Sequence, residues 1–381
     1  MRPGAPHHRE GSWVTTSPHH LVTLFFLALL SVWSCEARKA PTPPPYSLYY
    51  NVSGKYTEKA VFWKNCRPDN YAKIYPFFRE QWSLAREELE MIYDFDGGVH
   101  NGTVSRRYEH YLHRFYQFAD GAVLFVHGPK NFPIIYYKIL KCANEAIRGN
   151  LFRHMMLPDG SAPLLGPQSL FKNPQDLKSL KQLAEIKKTI KAKGHEEDIQ
   201  SFTFVRDPLS HFVSGLTECT ARSYKKPITI QPDRIVGYLL AVLDFKRPLK
   251  QIEHFFPMAG TFFTTGVPNF IGQLETFQKD WQTVKMLFKL HESVEFDMDF
   301  DKKKTTGGKD PQNTRAAFKG LEPKYVRAVC RILMADYICL PFYEMPPECK
   351  DLEAERKRGM DWLLSDRPAG PVVWFKSDSF G

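Results

Sequence analysis

Lys141, in the stretch KCANEAI, and Arg206, in FTFVRDPLSHFVSG, each stand where an apolar run ends and a helical pattern begins. A cation at the end of a buried strand is costly to desolvate unless an anion meets it. A helix start offers unpaired backbone N–H groups and a partial positive charge, which together cradle a phosphate, and a lysine at that turn adds a mobile full charge. The logic is that of a phosphate-binding loop, without the GxxxxGK[ST] pattern. A guanidinium can clamp a phosphate bidentately, and a hydroxyl can donate a further hydrogen bond. Ser214 follows Arg206 by eight residues, a spacing that lets both converge on one group above a sheet. Taken singly, each residue also has an ordinary reading: a solvated lysine, and an arginine paired with Asp207 or with a carboxylate elsewhere.

The surrounding pattern supplies elements that could hold these residues. GAVLFVHG and FPIIYYKIL read as strands, apolar and β-branched, and SFTFVRDP as another ending at Arg206. Leu140 to Met156 turns helical, with Ile147, Leu151 and Met155 recurring every four residues. Leu177, Leu180, Leu183, Ile186 and Ile190 follow along one expected helical face, with a solvated lysine run opposite. PLSHFVSGLTECTARS is expected to be the helix after Arg206, with Pro208 near its first turn and Leu209, Phe212, Val213 and Leu216 buried. REQWSLAREELEMIYDF, DRIVGYLLAVLDF, DWQTVKMLFKLHE and EPKYVRAVCRILMADY read as further helices, and DKKKTTGGKD as a basic loop. Strands alternating with helices indicate an α/β domain with a mainly parallel sheet.

Together the two cationic motifs resemble the 5′-phosphosulfate and 3′-phosphate signatures of the sulfotransferases. LKCANEAI sits where that family has a P-K-x-G-x-T/S-S-like loop, and VRDPLSHFVSG is similar to its V-R-D-P-x-x-R-x-x-S. NFIGQLETFQKDW, Asn269 to Trp281, resembles a segment of the Golgi carbohydrate sulfotransferases of the chondroitin and HNK-1 type. HFFPMAG at His254 and ADYICLPFYE near the end are similar to two further stretches of that family, so the resemblance runs in order over roughly residues 130 to 345. It implies a P-loop-like three-layer fold with a central mainly parallel sheet. It also implies 3′-phosphoadenosine 5′-phosphosulfate as co-substrate and a carbohydrate, an acidic glycan or glycoprotein, as acceptor. Lys141, Cys142, Ala143, Asn144, Glu145 and Ala146 would then hold the 5′-phosphosulfate, and Arg206 and Ser214 the 3′-phosphate. Lys141 would neutralise the bridging oxygen as the sulfuryl group leaves. No metal is expected.

The chain departs from the pattern at three places. Ala143 stands for the family's glycine, and Asn144 and Glu145 for small hydroxyl residues. At ~4 Å and an effective dielectric near 20, like charges repel by about 4 kcal/mol. Glu145 must therefore point away, pair with a cation such as Arg148, carry a proton, or mark a damaged donor site. His211 replaces the second arginine of the 3′ motif. A hydroxyl nucleophile also needs a proton acceptor. His254 is the first candidate for that role, with His211 and Glu275 behind it.

The bulk properties agree with an anionic partner. The 381 residues carry a formal charge of +10. Without zinc-type CxxC pairs, an RNP-like aromatic motif or a long arginine stripe, nucleic acid is the weaker option. The uncharged stretch Leu21 to Cys35 would span roughly 22 Å as a helix, short of the ~30 Å hydrocarbon core. It suits a signal-anchor or a signal peptide ending near Cys35-Glu36-Ala37. The expected layout is a cytoplasmic tail (1–20), that segment (21–35), a proline-rich stem (36–55), a luminal catalytic domain (56–350) and a C-terminal extension (351–381). This describes a single-pass type II Golgi membrane protein, or a secreted one if the signal is cleaved. Sequons at Asn51 and Asn101 agree with the secretory pathway. Apart from Cys35, six cysteines allow one to three bridges there. Two other classes stay open: a catalytically inactive glycan-binding relative, supported by Glu145, and a P-loop kinase, opposed by the missing Walker loop and magnesium ligands.

Overall fold

The computed structural model describes residues 65–90, 106–127, 132–154, 175–177, 180–192, 194, 200–223, 229–243, 252–287 and 313–365. All of them fall in the unit Ser47–Gly381. The apolar Leu21–Cys35 stretch, the stem, both sequons, the unit Met1–Tyr46 and the DKKKTTGGKD loop lie outside them. No helix among the described residues is long and apolar enough to cross a membrane.

Five strands carry the domain: β1 (Ala122–His127), β2 (Phe132–Tyr137), β3 (Gln175–Leu177), β4 (Gln200–Val205) and β5 (Phe270–Gln273). They pair in the order β3-β1-β2-β4-β5. β1 is antiparallel to both neighbours, from Ala122 opposite Tyr137 to His127 opposite Phe132, and Ala122 opposite Leu177. β2, β4 and β5 are mutually parallel, with Tyr136 and Phe270 both beside Phe202. Only β1 therefore runs against the other four, and the sheet is mainly parallel in strand direction. β4 (QSFTFV) is buried from Ser201 to Val205, as a central strand is, even though Ser201 and Thr203 interrupt its apolar residues.

Alternation along the strands builds two apolar layers. Val123, Ile134, Tyr136, Phe202 and Phe204 face one side, where Ile147 and Leu151 of α3 (Asn144–His154) and Phe277, Trp281 and Val284 of α8 (Phe277–Leu287) cover them. Ala122, Leu124, Ile135 and Tyr137 face the other, against Leu177 and against Leu183 and Ile186 of α4 (Leu180–Ala192). These are the three layers of an α/β domain. Leu177 belongs to β3 rather than to the helical face expected for it. Its spacing to Leu180 and Leu183 imitates a helix, but its backbone pairs with Ala122.

A helical part completes the domain. α1 (Pro68–Glu90) and α2 (Arg106–Tyr116) precede the sheet; α5 (Pro208–Ser223), α6 (Pro232–Leu243) and α7 (Ala259–Thr265) follow β4. The last helices are α9 (Thr314–Lys319), α10 (Pro323–Ile332), α11 (Met334–Cys339) and α12 (Glu353–Leu364). The helix expected over EPKYVRAVCRILMADY is broken at Leu333, which separates α10 from α11. Disulfides join Cys66 to Cys339 and Cys330 to Cys349; Cys142 and Cys219 are free thiols, both buried. The domain's packing runs past the boundary expected at residue 350. Gly359 of α12 lies so close to the core that a Cβ there would meet Ile338 Cδ1 at 2.3 Å and Phe77 Cε1 at 2.7 Å, and Arg358 pairs with Glu80 at 2.6 Å.

Candidate active site

Because β2, β4 and β5 are parallel, their C-terminal ends share one edge of the sheet, and each runs through a short turn into a helix. Residues 138–143 lead from β2 into α3, Arg206-Asp207 from β4 into α5, and residues 274–276 from β5 into α8. In open α/β sheets ligands bind outside this edge, where helix N-termini point.

The first turn has an unusual backbone. Lys141 (φ 61°) and Ala143 (φ 54°) are both left-handed. That conformation costs an L-residue roughly 1–2 kcal/mol, and Ala143 stands where the sulfotransferase pattern has glycine. The turn is held from outside. The His211 Nε2–H donates to Leu140 O at 2.8 Å, Arg206 Nη1 donates to Lys141 O at 3.3 Å, and Asn144 Nδ2 donates to Asp120 Oδ2 at 3.2 Å. Cys142 is sealed beneath, with Sγ 3.5 Å from Met258 Sδ; burial pushes its thiol pKa far up, so it stays a thiol. Beyond Ala143 the first i→i−4 bond runs from Ile147 N to Ala143 O at 2.9 Å, so the N–H groups of Asn144, Glu145 and Ala146 form the open N-terminal turn of α3. Glu145 pairs with Arg148 at 2.6 Å on the exposed flank of that helix.

The Lys141 ammonium lies 3.5 Å from Glu218 Oε2, both side chains largely buried (22% and 17% exposed). Glu218 was not anticipated from the sequence. It sits on α5 with His211 and Ser214, at i, i+3 and i+7, so the three share one face. His211 and Glu218 both touch the Lys141 turn, which places Ser214 between them on the same side. α5 is pressed tightly against the segment that carries His254. A Cβ at Gly215 would fall 2.2 Å from His254 O. His254 itself is buried.

At the second strand end, Arg206 is half-buried and its Nε, fully buried, has no hydrogen-bond partner. Asp207 does not serve it as a counter-ion. The Asp207 carboxylate caps α5 by accepting from Ser210 N at 2.7 Å, with Pro208 at the first helical position. The Asp207 N–H donates to Glu275 Oε1 at 2.7 Å, and Tyr343 O–H donates to Glu275 Oε2 at 2.8 Å. Both oxygens of Glu275 are thus engaged, Oε1 joining the second and third strand ends and Oε2 tying them to Tyr343. His211 is almost completely buried, and burial pushes its pKa down to about 3, with Arg206 and Lys141 adding to the fall and the Leu140 bond opposing it. It is a neutral brace for the turn and supplies no fixed charge in the second arginine's place.

The Asn269–Trp281 stretch is an architectural clamp. Asn269 Oδ1 accepts from Ser201 N at 2.8 Å and from Ser201 Oγ at 3.0 Å, fixing β5 to β4. Asp280 Oδ2 accepts from Gln273 N and Thr276 Oγ1, each at 2.7 Å, closing the turn into α8, and Trp281 fills the core. The structure therefore brings Lys141, Cys142, Ala143, Asn144 and Arg206 together at one edge, with Ser214 on the adjoining helix face. Asp120 and Glu218 are the partners that sequence reasoning missed; the spacing of Glu218 from His211 and Ser214 was the available signal.

No curated protein and no solved structure matches this chain. A family model described as the sulfotransferase family does, over residues 125–343. That span opens within β1 and closes on Tyr343, so it takes in all three strand ends and the carboxylate that ties two of them together. It covers more than half of the 381 residues, and the chain therefore belongs to the sulfotransferase family.

Proposed function

We propose that the chain transfers a sulfuryl group from 3′-phosphoadenosine 5′-phosphosulfate to a hydroxyl of a carbohydrate, in the manner of the chondroitin and HNK-1 type enzymes. The observation that carries this reading is the junction of the two cationic turns. Arg206 reaches Lys141 O at 3.3 Å while its buried Nε is left without a partner, so the guanidinium adjoins the turn that carries Lys141. A bis-phosphorylated nucleotide has an anion for each. Lys141, with the open N–H groups of Asn144, Glu145 and Ala146, binds the 5′ end; Arg206 and Ser214 bind the 3′-phosphate. Glu145 does not oppose this, since its charge is paired with Arg148. That pairing weakens the argument from Glu145 for an inactive, glycan-binding relative.

The chemistry asked of the protein is positioning and electrostatics. The turn holds the Lys141 ammonium where negative charge grows on the leaving oxygen, and Arg206 fixes the far end of the donor. The acceptor is an acidic glycan or glycoprotein, consistent with the +10 charge. The site of action is the Golgi lumen, with residues 21–35 as a type II anchor, and the two disulfides fit that oxidising compartment.

The test is calorimetry on the full chain. 3′-Phosphoadenosine 5′-phosphate should bind much more tightly than AMP, without magnesium. Sulfate transfer from labelled donor onto a panel of glycans should follow. Equal affinity for the two nucleotides would reject the donor assignment, and transfer only to non-carbohydrate hydroxyls would reject the acceptor class.

A further inference from the structure

We infer that Glu218 is the proton acceptor for the attacking hydroxyl. The inference rests on the donor-site reading above and names a catalytic group within that site. Three other base candidates at this edge, Glu275, His211 and Glu145, have their capacity committed or are poorly suited, and a fourth, His254, is buried with its backbone packed tightly against Gly215 of α5. Glu275 has both oxygens bonded, to Asp207 N–H and Tyr343 O–H. His211 gives its Nε2–H to Leu140 O, and burial leaves it a weak base. Glu145 is tied to Arg148 on the exposed flank. Glu218 is the carboxylate that meets the Lys141 ammonium, at 3.5 Å and largely shielded from water.

Its placement also explains how it would be switched on. While the site holds no donor, Lys141 neutralises Glu218. A phosphosulfate engages the lysine and brings its own negative charge close to the carboxylate. Both effects raise the proton affinity of Glu218, and a carboxylate becomes a better base as its pKa climbs toward the working pH. The step balances as follows. The hydroxyl oxygen forms a bond to sulfur, and the bond from sulfur to the bridging oxygen of the 5′-phosphate breaks. The electron pair leaves with 3′-phosphoadenosine 5′-phosphate beside Lys141, and the hydroxyl proton passes to Glu218. Ser214, one helical turn before Glu218, shares that face of α5.

The experiment compares the full chain with its Glu218→Gln and Glu218→Ala variants, each checked for an unchanged thermal unfolding midpoint. Binding of 3′-phosphoadenosine 5′-phosphate is read by calorimetry. Turnover is read as its release from labelled donor, with an accepted glycan and with water as acceptors. Glu218→Gln should bind the nucleotide as tightly as the parent or more tightly, yet turn over about 100- to 10,000-fold more slowly, the range for losing a general base. Formate should partly restore turnover in Glu218→Ala. Turnover of Glu218→Gln within about fivefold of the parent would make Glu218 a counter-ion only and overturn the inference. Loss of nucleotide binding or of folding in both variants would also overturn it, because Glu218 would then be a binding or structural group. A parent that binds the nucleotide but never releases it from donor, even to water, has no working base and equally overturns it. A parent that fails to prefer the nucleotide over AMP brings down the donor-site reading itself, and that result is seen before any variant is made.

Discussion

Two buried groups near the sheet edge should make the stability of this protein almost insensitive to mild acid by opposing each other. Asp336 on α11 is fully buried; its Oδ1 accepts from Ala259 N at 2.8 Å, and its Oδ2 has no hydrogen-bond partner. Burial raises its pKa from 3.8 to about 7, with the Asp207 charge adding and the N–H groups of Ala259 and Met258 opposing. The native state thus holds a proton that the unfolded chain has already lost. This contribution to stability is complete below about pH 4 and disappears as pH rises through 7. At about 1.4 kcal/mol per pH unit the whole effect is roughly 4 kcal/mol. His211 has the opposite sign. Its native pKa of about 3 lies below 6.5, so the unfolded chain takes up a proton first and stability falls as pH drops below 6.5. Over the interval from about pH 6.5 to 5 each effect amounts to roughly 2 kcal/mol, and the two cancel.

The perturbation is Asp336→Asn, whose amide oxygen can still accept from Ala259 N–H. Denaturant unfolding followed by tryptophan fluorescence, disulfides intact, should give the parent chain a nearly flat stability across that interval. Relative to the parent, the variant should lose about 2 kcal/mol as pH falls from about 6.5 to 5, because Asp336 no longer opposes His211. The complementary His211→Gln should lose about the same amount as pH rises over the interval, because Asp336 acts alone. An Asp336→Asn curve parallel to the parent's at every pH would show that Asp336 is already ionised in the folded protein, and the reasoning would fail.

Four further outcomes follow from the geometry. Lys141→Ala should reduce sulfate turnover on the order of a hundredfold or more, as for loss of one donor to developing charge, while nucleotide binding measured by calorimetry weakens far less. Arg206→Ala should weaken binding of 3′-phosphoadenosine 5′-phosphate by about 2–5 kcal/mol and leave AMP affinity much less changed, closing the gap between the two. Gly215→Ala places a Cβ 2.2 Å from His254 O and should destabilise the fold by about 1–3 kcal/mol in denaturant titration. Cys339→Ser removes the bridge to Cys66, which closes a loop of 273 residues, and should cost about 2–5 kcal/mol; unchanged unfolding under non-reducing conditions would show that the bridge does not stabilise the folded state.

What could be read from the sequence was what neighbouring residues decide. Aspartate and proline after Val205 start α5 whatever the rest of the chain does, so the strand, Arg206 and Ser214 could be placed in order. The periodicity of Ile147 and Leu151 likewise revealed α3, but the helix begins at Asn144 rather than at Leu140. No glycine marked the left-handed residues before it; the conformation is imposed by His211, Arg206 and Asp120, which are far away in sequence. The reversal of β1, the strand at Leu177, the break at Leu333 and the pairing of Lys141 with Glu218 share that origin, for each depends on which segments meet rather than on local residue type.

The same contacts explain why a costly turn persists. Two left-handed L-residues carry roughly 2–4 kcal/mol of strain. One neutral hydrogen bond and two that involve a charged group, the Arg206 guanidinium and the Asp120 carboxylate, contribute about 3.5–7.5 kcal/mol between them, enough to hold the turn shut. Glycine at position 143 would relieve part of the strain, but it would also let the turn relax with Lys141 inside it. With alanine there, the lysine's direction is fixed by clamps on both sides of it, and one of those clamps is Arg206, a residue of the opposite end of the proposed donor site. Donor binding at Arg206 and the orientation of Lys141 are therefore mechanically linked through the Lys141 carbonyl. A nucleotide that reaches only one of the two cations should leave the other incompletely positioned, which favours a donor phosphorylated at both ends over one with a single anionic terminus.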